Sequence, residues 1–179
     1  MAFARRKKSD DPDAGPPKRS VRDTAYGLLA RRDHTVEELR RKLKLREFDD
    51  AEIEATLADF SAHGYLNDER YGRTWALARV NRSRVGPGRL RFDLLRKGFD
   101  TALVETLVAE SYEENEERPA ASEEEVALDA ARRKARSLSP KLDREMVKRK
   151  LYDHLARRGF DAEVARRIVL DRFEEVFDS

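Results

Sequence analysis

Paired leucines four residues apart recur at three places along the chain, each followed five residues later by Phe-Asp: Leu39, Leu43 and Phe48-Asp49; Leu90, Leu94 and Phe99-Asp100; Leu151, Leu155 and Phe160-Asp161. A spacing of four places both leucines on one helical face, so each copy predicts a short helix with a narrow buried stripe. Gly98 and Gly159 stand just before Phe-Asp and suit the left-handed residue that closes a helix, whereas the first copy has Glu47, a weaker stop. Each Asp then suits the N-cap of a following helix, because its carboxylate can accept hydrogen bonds from the orphan amides of the first turn. The Phe before it and Ile53, Val104 or Ala165 after it occupy the two positions of a hydrophobic staple, thinnest in the third copy. Leu57, Leu107 with Val108, and Ile168 with Val169 continue the stripe, so every copy reads as helix, tight turn, helix.

A further helix precedes each pair. In the first copy it covers about Val21 to Arg31 with Ala25, Leu28 and Leu29, and Thr35 and Glu38 then have the spacing of a capping box. In the second, Asp68 opens a helix with Tyr71, Trp75 and Ala78 on one face, and Gly86-Pro87 fits an N-cap with proline at N1. The third runs from about Glu125 to Ser137 and leads through Ser139-Pro140 into a longer second helix. The expected fold class is all-α: three tandem three-helix repeats forming an elongated, curved stack, none with enough core to stand alone. The expected units are 21–66, 67–112 and 126–179, preceded by a disordered basic tail, 1–20. Phe48 and Phe99 are 51 residues apart but Phe99 and Phe160 are 61 apart, and the excess falls in the acidic stretch Glu113 to Glu125. That stretch reads as a solvated linker that lets the third unit move against the second.

Composition narrows the function. The 179 residues are 41% charged and 39% hydrophobic, which suits narrow apolar stripes on solvated helices. With 38 Lys and Arg against 36 Asp and Glu, any attraction to a polyanion must come from segregated charge. There is no cysteine, hence no disulfide, thiolate metal site or cysteine nucleophile, in keeping with a cytoplasmic protein. No apolar run approaches the roughly 20 residues of a membrane span, and the N-terminus lacks the apolar region of a secretory signal.

Catalytic chemistry is sparse. His34, His63 and His154 fall in three different units without metal spacing and suit surface or capping roles. The glycines of "VGPGRL" lack the lysine and hydroxyl of a phosphate loop, and capping explains Asp68 and Glu69 better than an acid/base pair. No enzyme activity and no cofactor are expected. Positive charge is what stands out: Arg79, Arg82, Arg84, Arg89, Arg91, Arg96 and Lys97 in the second unit, with Arg132, Arg133, Lys134, Arg136, Lys148, Arg149 and Lys150 in the third. These are candidate contacts to a polyanion or an acidic protein; the alternative is a solvated face on a charge-rich protein. The second unit is favoured because its arginines continue through the Gly-Pro-Gly bend. Tyr71 and Trp75 could stack on bases, although their helical spacing suits core.

The segments "LLARRDHTVEELRRKL", "HGYLNDERYGRTWALAR", "GPGRLRFDLLRKGFD" and "LARRGFD" resemble the RecX family of bacterial recombination regulators over about Val21 to Phe177. The resemblance implies an all-helical protein of tandem three-helix repeats that binds the RecA recombinase filament on single-stranded DNA, lodges in its groove and restrains its ATPase, strand-exchange and coprotease activities. It also implies that Asp68, Glu69, Arg70 and Tyr71 shape the joint between units one and two, and that Gly86, Pro87, Arg89, Lys97 and Gly98 mark the central unit; Gly159 is the counterpart of Gly98 by the internal repeat. Single-stranded DNA is the expected nucleic acid, duplex DNA a second form, and the protein is expected to be a monomer without a membrane partner. The competing expectation is a stand-alone helical nucleic-acid-binding module, which would bind DNA with a steep salt dependence and no need of recombinase.

Overall fold

The computed structural model describes residues 20–113 and 122–177, which hold nine α-helices, one short 3-10 turn and no strand. Unit one comprises α1 (Val21–Leu29), α2 (Val36–Lys44) and α3 (Asp50–Ala62); unit two, α4 (Asp68–Ser83), α5 (Pro87–Lys97) and α6 (Thr101–Ser111); unit three, α7 (Glu123–Ala135), α8 (Arg144–Arg157) and α9 (Ala162–Leu170), then the 3-10 turn Glu174–Val176. The paired leucines Leu39, Leu43, Leu90, Leu94, Leu151 and Leu155 are all fully buried, each contributing about 1.5–3 kcal/mol relative to an exposed side chain. The caps fall where the repeat places them. Asp49, Asp100 and Asp161 cap α3, α6 and α9, and Thr35 closes a capping box with Glu38. Glu47 adopts φ 59°, beside 89° at Gly98 and 79° at Gly159, so the first copy makes the same left-handed closure without a glycine.

Four local expectations are corrected. The cap of α4 is Asn67, whose side chain accepts from the Arg70 amide, and Asp68 is the first helical residue. The buried stripe of α4 is Gly72, Ala76 and Val80, with Ala78 exposed and Tyr71 and Trp75 flanking the core half-buried. Small residues win because α4 lies close against α6: a Cβ on Gly72 would meet Leu107 Cδ1 at 2.5 Å. Helix α7 starts at Glu123, capped by Ser122, so Glu123 to Glu125 of the expected linker form its first turn, where carboxylates favour the helix dipole. The basic tail and residues 114–121 of the acidic stretch lie outside the described residues. Finally, His34 is not on the surface: it is buried in the α1–α2 loop, with Nδ1 2.9 Å from the Arg32 carbonyl.

Two apolar cores result. One is confined to unit one, around Leu39, Leu43, Ile53, Leu57 and Phe60. The other runs without interruption through units two and three, from Ala76, Leu90 and Leu94 to Leu151, Leu155 and Ile168. The expected freedom of unit three against unit two is therefore not found: the two share one core, and separating them would expose it.

The joints repeat one another. The C-terminal end of α8 abuts the N-terminal end of α5: the Gly86 amide donates to the Arg158 carbonyl at 2.8 Å and the Gly88 amide to the Gly159 carbonyl at 3.0 Å. The C-terminal end of α5 likewise abuts the start of α2, where the Thr35 hydroxyl donates to the Lys97 carbonyl at 2.9 Å. At each joint the orphan carbonyls of one unit's second helix are satisfied by the capping residue of the preceding unit's second helix, and opposite dipole ends meet. Here the glycines are needed twice over, for positive φ and for closeness. A Cβ on Gly159 would run into the backbone and Cβ of Arg89, and one on Gly98 would lie 2.8 Å from Glu37 Cβ and Cγ.

Candidate nucleic-acid interface

The joint between units two and three carries a basic groove on one side. One part, about 520 Å³, is lined by Arg82, Ser83, Arg84, Ala130, Arg133, Lys134, Ser137, His154 and Arg158. A contiguous part, about 340 Å³, is lined by Arg79, Ser83, Val85, Arg89, His154, Arg157 and Arg158. Together these linings hold eight cationic side chains, Arg79, Arg82, Arg84, Arg89, Arg133, Lys134, Arg157 and Arg158, and no carboxylate.

Buried or half-buried anchors hold part of this charge in place. Asp93 is buried on α5, and its Oδ2 accepts from Arg79 Nε at 2.9 Å and Nη2 at 2.7 Å, while Arg89 pairs with Oδ1 at 3.2 Å. Arg84 has φ 47° at the end of α4, and its guanidinium pairs with Asp129 of α7, spanning the joint. Arg158 reaches back across the joint to donate to the Ser83 and Arg84 carbonyls, a cation on the negative end of α4. Its Nε–H also donates to His154 Nε2 at 3.0 Å, which requires an imidazole unprotonated at that nitrogen. Burial, then the nearby Arg158, Lys134 and Arg157, push His154 down to about 4, so the ring is neutral at pH 7.

Arg133 pairs with Asp129 at 3.6 Å, and the other three cations are available to a ligand. Among the described residues, Arg82 and Arg157 have no ion-pair or hydrogen-bond partner, and Lys134 contacts only Ser137 Oγ at 3.4 Å. Lys150 lies one turn before His154 and two before Arg157, which extends the stripe along α8.

Other basic residues of the sequence lie elsewhere. Arg91 makes a bidentate pair with Glu105 at 2.7 and 2.8 Å and lines a different hollow, with Glu123. Lys97 belongs to the joint between units one and two: its Nζ lies 3.3 Å from Glu38 and 3.0 Å from the Tyr71 hydroxyl, and 5.2 Å from the Tyr71 and Trp75 rings. The same joint uses Asp68, whose Oδ1 accepts from the Val36 amide at 3.0 Å and so caps a helix of the neighbouring unit. Glu69 pairs with Arg73 at 2.6 Å, and Arg70 is exposed. Arg132 donates to the Glu175 carbonyl, Lys148 stands 5.5 Å from the Phe173 ring, and Arg136 and Arg149 are exposed away from the groove lining. Arg96 is exposed on α5 near Phe92. Pro87, at the first position of α5, lines the hollow that holds Arg91.

Arg157 and Arg158 belong to the basic region of the third unit without being among its named contact candidates, and His154 is not a basic candidate. The one signal for them was "LARRGFD" itself, since whatever ends α8 also abuts the Gly-Pro-Gly bend. Among the described residues, no three His, Cys, Asp or Glu side chains cluster as a metal site, and no helix is long and apolar enough to cross a membrane.

Known proteins share the three-unit organisation. Family models for the first, second and third three-helix domains of RecX match residues 22–60, 67–107 and 122–169. The regulatory protein RecX of Stenotrophomonas maltophilia (strain K279a) is 34% identical over 80% of this chain and 81% of its own, and that of Prosthecochloris aestuarii 32% identical over 83% and 90%. The crystal structure of RecX from Lactobacillus salivarius superposes with a TM-score of 0.67 at 17% identity, covering 87% of this chain and 95% of that one, a likeness of fold. With all three domains matched in order over the helical units, the chain belongs to the RecX family of regulatory proteins.

Proposed function

We propose that this protein binds a RecA-type recombinase filament on single-stranded DNA and lowers its ATPase, strand-exchange and coprotease activities. The groove between units two and three faces the DNA phosphates or the acidic edges of protomers. One observation carries the reading: in a chain of formal charge only +2, eight cations line one groove, where Asp93 and Asp129 pair with four of them and the other four have no carboxylate partner among the described residues. Segregation on that scale gives a local attraction that overall charge does not. The repeated joints add a geometric reason, since similar units in series can meet successive protomers of a helical lattice with related surfaces.

The test reverses Arg82, Lys134 and Arg157 to Glu, three cations that hold no ion pair among the described residues, and titrates the variant into preformed filaments while following ATPase and filament length. Exposed reversals cost little stability, whereas each exchanges attraction for repulsion at the interface. The groove variant is expected to lose inhibition even at low salt. Reversal of Arg5, Arg6, Lys7 and Lys8 is expected to alter mainly association rate and salt sensitivity. Equal losses from both variants identify a nonspecific polyanion binder, and full inhibition by the folded groove variant removes the groove from the contact surface.

A further inference from the structure

Phe92 stands on the solvent side of α5 with 54% of its surface exposed, and Leu95 beside it is 42% exposed. Neither belongs to either core, so nothing in the packing of the three units calls for an aromatic ring there. Two guanidinium groups attend it: that of Arg89 lies 5.5 Å from the ring centroid and that of Arg96 5.9 Å. Positions 89, 92 and 96 share one helical face, so the ring sits between the two cations along α5. Arg89 also lines the basic groove. The cationic lining therefore continues from the joint onto an exposed aromatic with a second cation beyond it.

We propose that Phe92 is a base-stacking position for a single-stranded nucleic acid whose phosphates run along the groove, so that an unpaired base leaving the groove lies on the ring between Arg89 and Arg96. An aromatic ring flanked by guanidinium groups matches a strand's alternation of flat, weakly polar bases and anionic phosphates. Duplex DNA cannot use it, because its base faces are stacked on one another. Continuity with a groove that has no lining carboxylate selects nucleic acid over a protein surface, for which an Arg-flanked Phe would need a hydrophobic pocket in the partner. Phe92 serves in this way only if the groove carries phosphates, as proposed above.

The experiment compares the native protein with Phe92→Leu and Phe92→Tyr in binding two labelled oligomers of equal length, a thymidylate and an abasic deoxyribose-phosphate strand, by fluorescence anisotropy at low salt. Phe92→Leu is expected to weaken thymidylate binding by roughly fivefold to a hundredfold, the range of one base stack, and to leave abasic-strand binding unchanged. Phe92→Tyr is expected to retain both. Equal losses on both strands, or no loss on thymidylate, overturn the stacking role. If Phe92→Leu binds thymidylate like the native protein but inhibits recombinase poorly, the ring is a protein contact and the proposal fails. If the native protein binds neither strand, the groove reading fails first; if the abasic strand binds and is lost on reversal of Arg82, Lys134 and Arg157, the groove stands and the outcome for Phe92 is decided separately.

Discussion

Replacing Gly159 by Ala tests the joint at its tightest point. The residue has φ +79°, where an L side chain costs about 1–2 kcal/mol. The new Cβ would also run into Arg89, mostly into backbone, which cannot swing aside. Relief requires α5 to withdraw from α8, which loses the bonds from Gly86 and Gly88 to the Arg158 and Gly159 carbonyls, each about 1 kcal/mol. The stiffer unfolded chain returns about 0.5–1 kcal/mol, leaving a destabilisation of about 3 kcal/mol. Gly98→Ala shares the strain, and its Cβ meets Glu37 Cγ, which can rotate, and Glu37 Cβ, which moves only with α2; with one hydrogen bond from Thr35 to lose there rather than two, about 2 kcal/mol is expected. Glu47→Gly relieves the strain of φ 59° in an exposed residue and should lie between neutral and about 1 kcal/mol stabilising. Urea unfolding followed by circular dichroism at 222 nm, with all three variants in parallel, reads the order. If Gly159→Ala costs no more than Gly98→Ala, the backbone contact between α5 and α8 does not govern the joint.

Two more outcomes follow from half-buried polar groups at the joints. Asp68→Ala removes the acceptor of the Val36 amide and is expected to destabilise unit one by about 1 kcal/mol, seen as faster hydrogen exchange in the first turn of α2 with α8 unaffected; unchanged protection there would exclude the cross-unit cap. His154 is held well below its unfolded value of about 6.5, so as pH falls from there the unfolded chain takes up a proton that the folded chain refuses until about pH 4. Stability is thus lost on acidification through that window, by about 1–2 kcal/mol after allowance for the half-exposed ring. His154→Gln should flatten this part of the stability–pH curve relative to the native protein, and identical slopes would refute it.

Much of this fold was legible because its signals are local. The leucine pairs, Asp caps and Phe staples each act within one turn of helix, so spacing alone placed them. Helix α4 shows where that stops: Tyr71 and Trp75 carry the larger apolar surface, yet Gly72 and Ala76 face the core, because the proximity of α6 belongs to the tertiary structure. Asp68 is a similar case, since its capping partner Val36 is 32 residues away. Among the basic residues, run length pointed to Arg79 through Lys97, but which of them converge depended on α8 folding back against the Gly-Pro-Gly bend. The reach of Arg158 to the end of α4 was not legible for that reason, and Lys97 looked available only because Glu38 and Tyr71 lie far from it in sequence or on another helix.

Head-to-tail joints contain no instruction to stop. A surface that accepts the next unit at one end and presents the same surface at the other is the recipe for an open-ended fibre, in which one chain follows another as unit follows unit. Here the two ends have been made unlike. Where an added chain would have to bring its α5-like cap against the end of α2, Glu47 replaces the glycine, and Leu45 and Arg46 project beside it. At the opposite end, the residue corresponding to Thr35 and Gly86 is Val147, which lies inside α8 because that helix starts a turn earlier. One end carries a side chain where a joint needs none, and the other has a continuing helix where a joint needs a cap. The growth rule that builds the molecule is thereby terminated within the molecule.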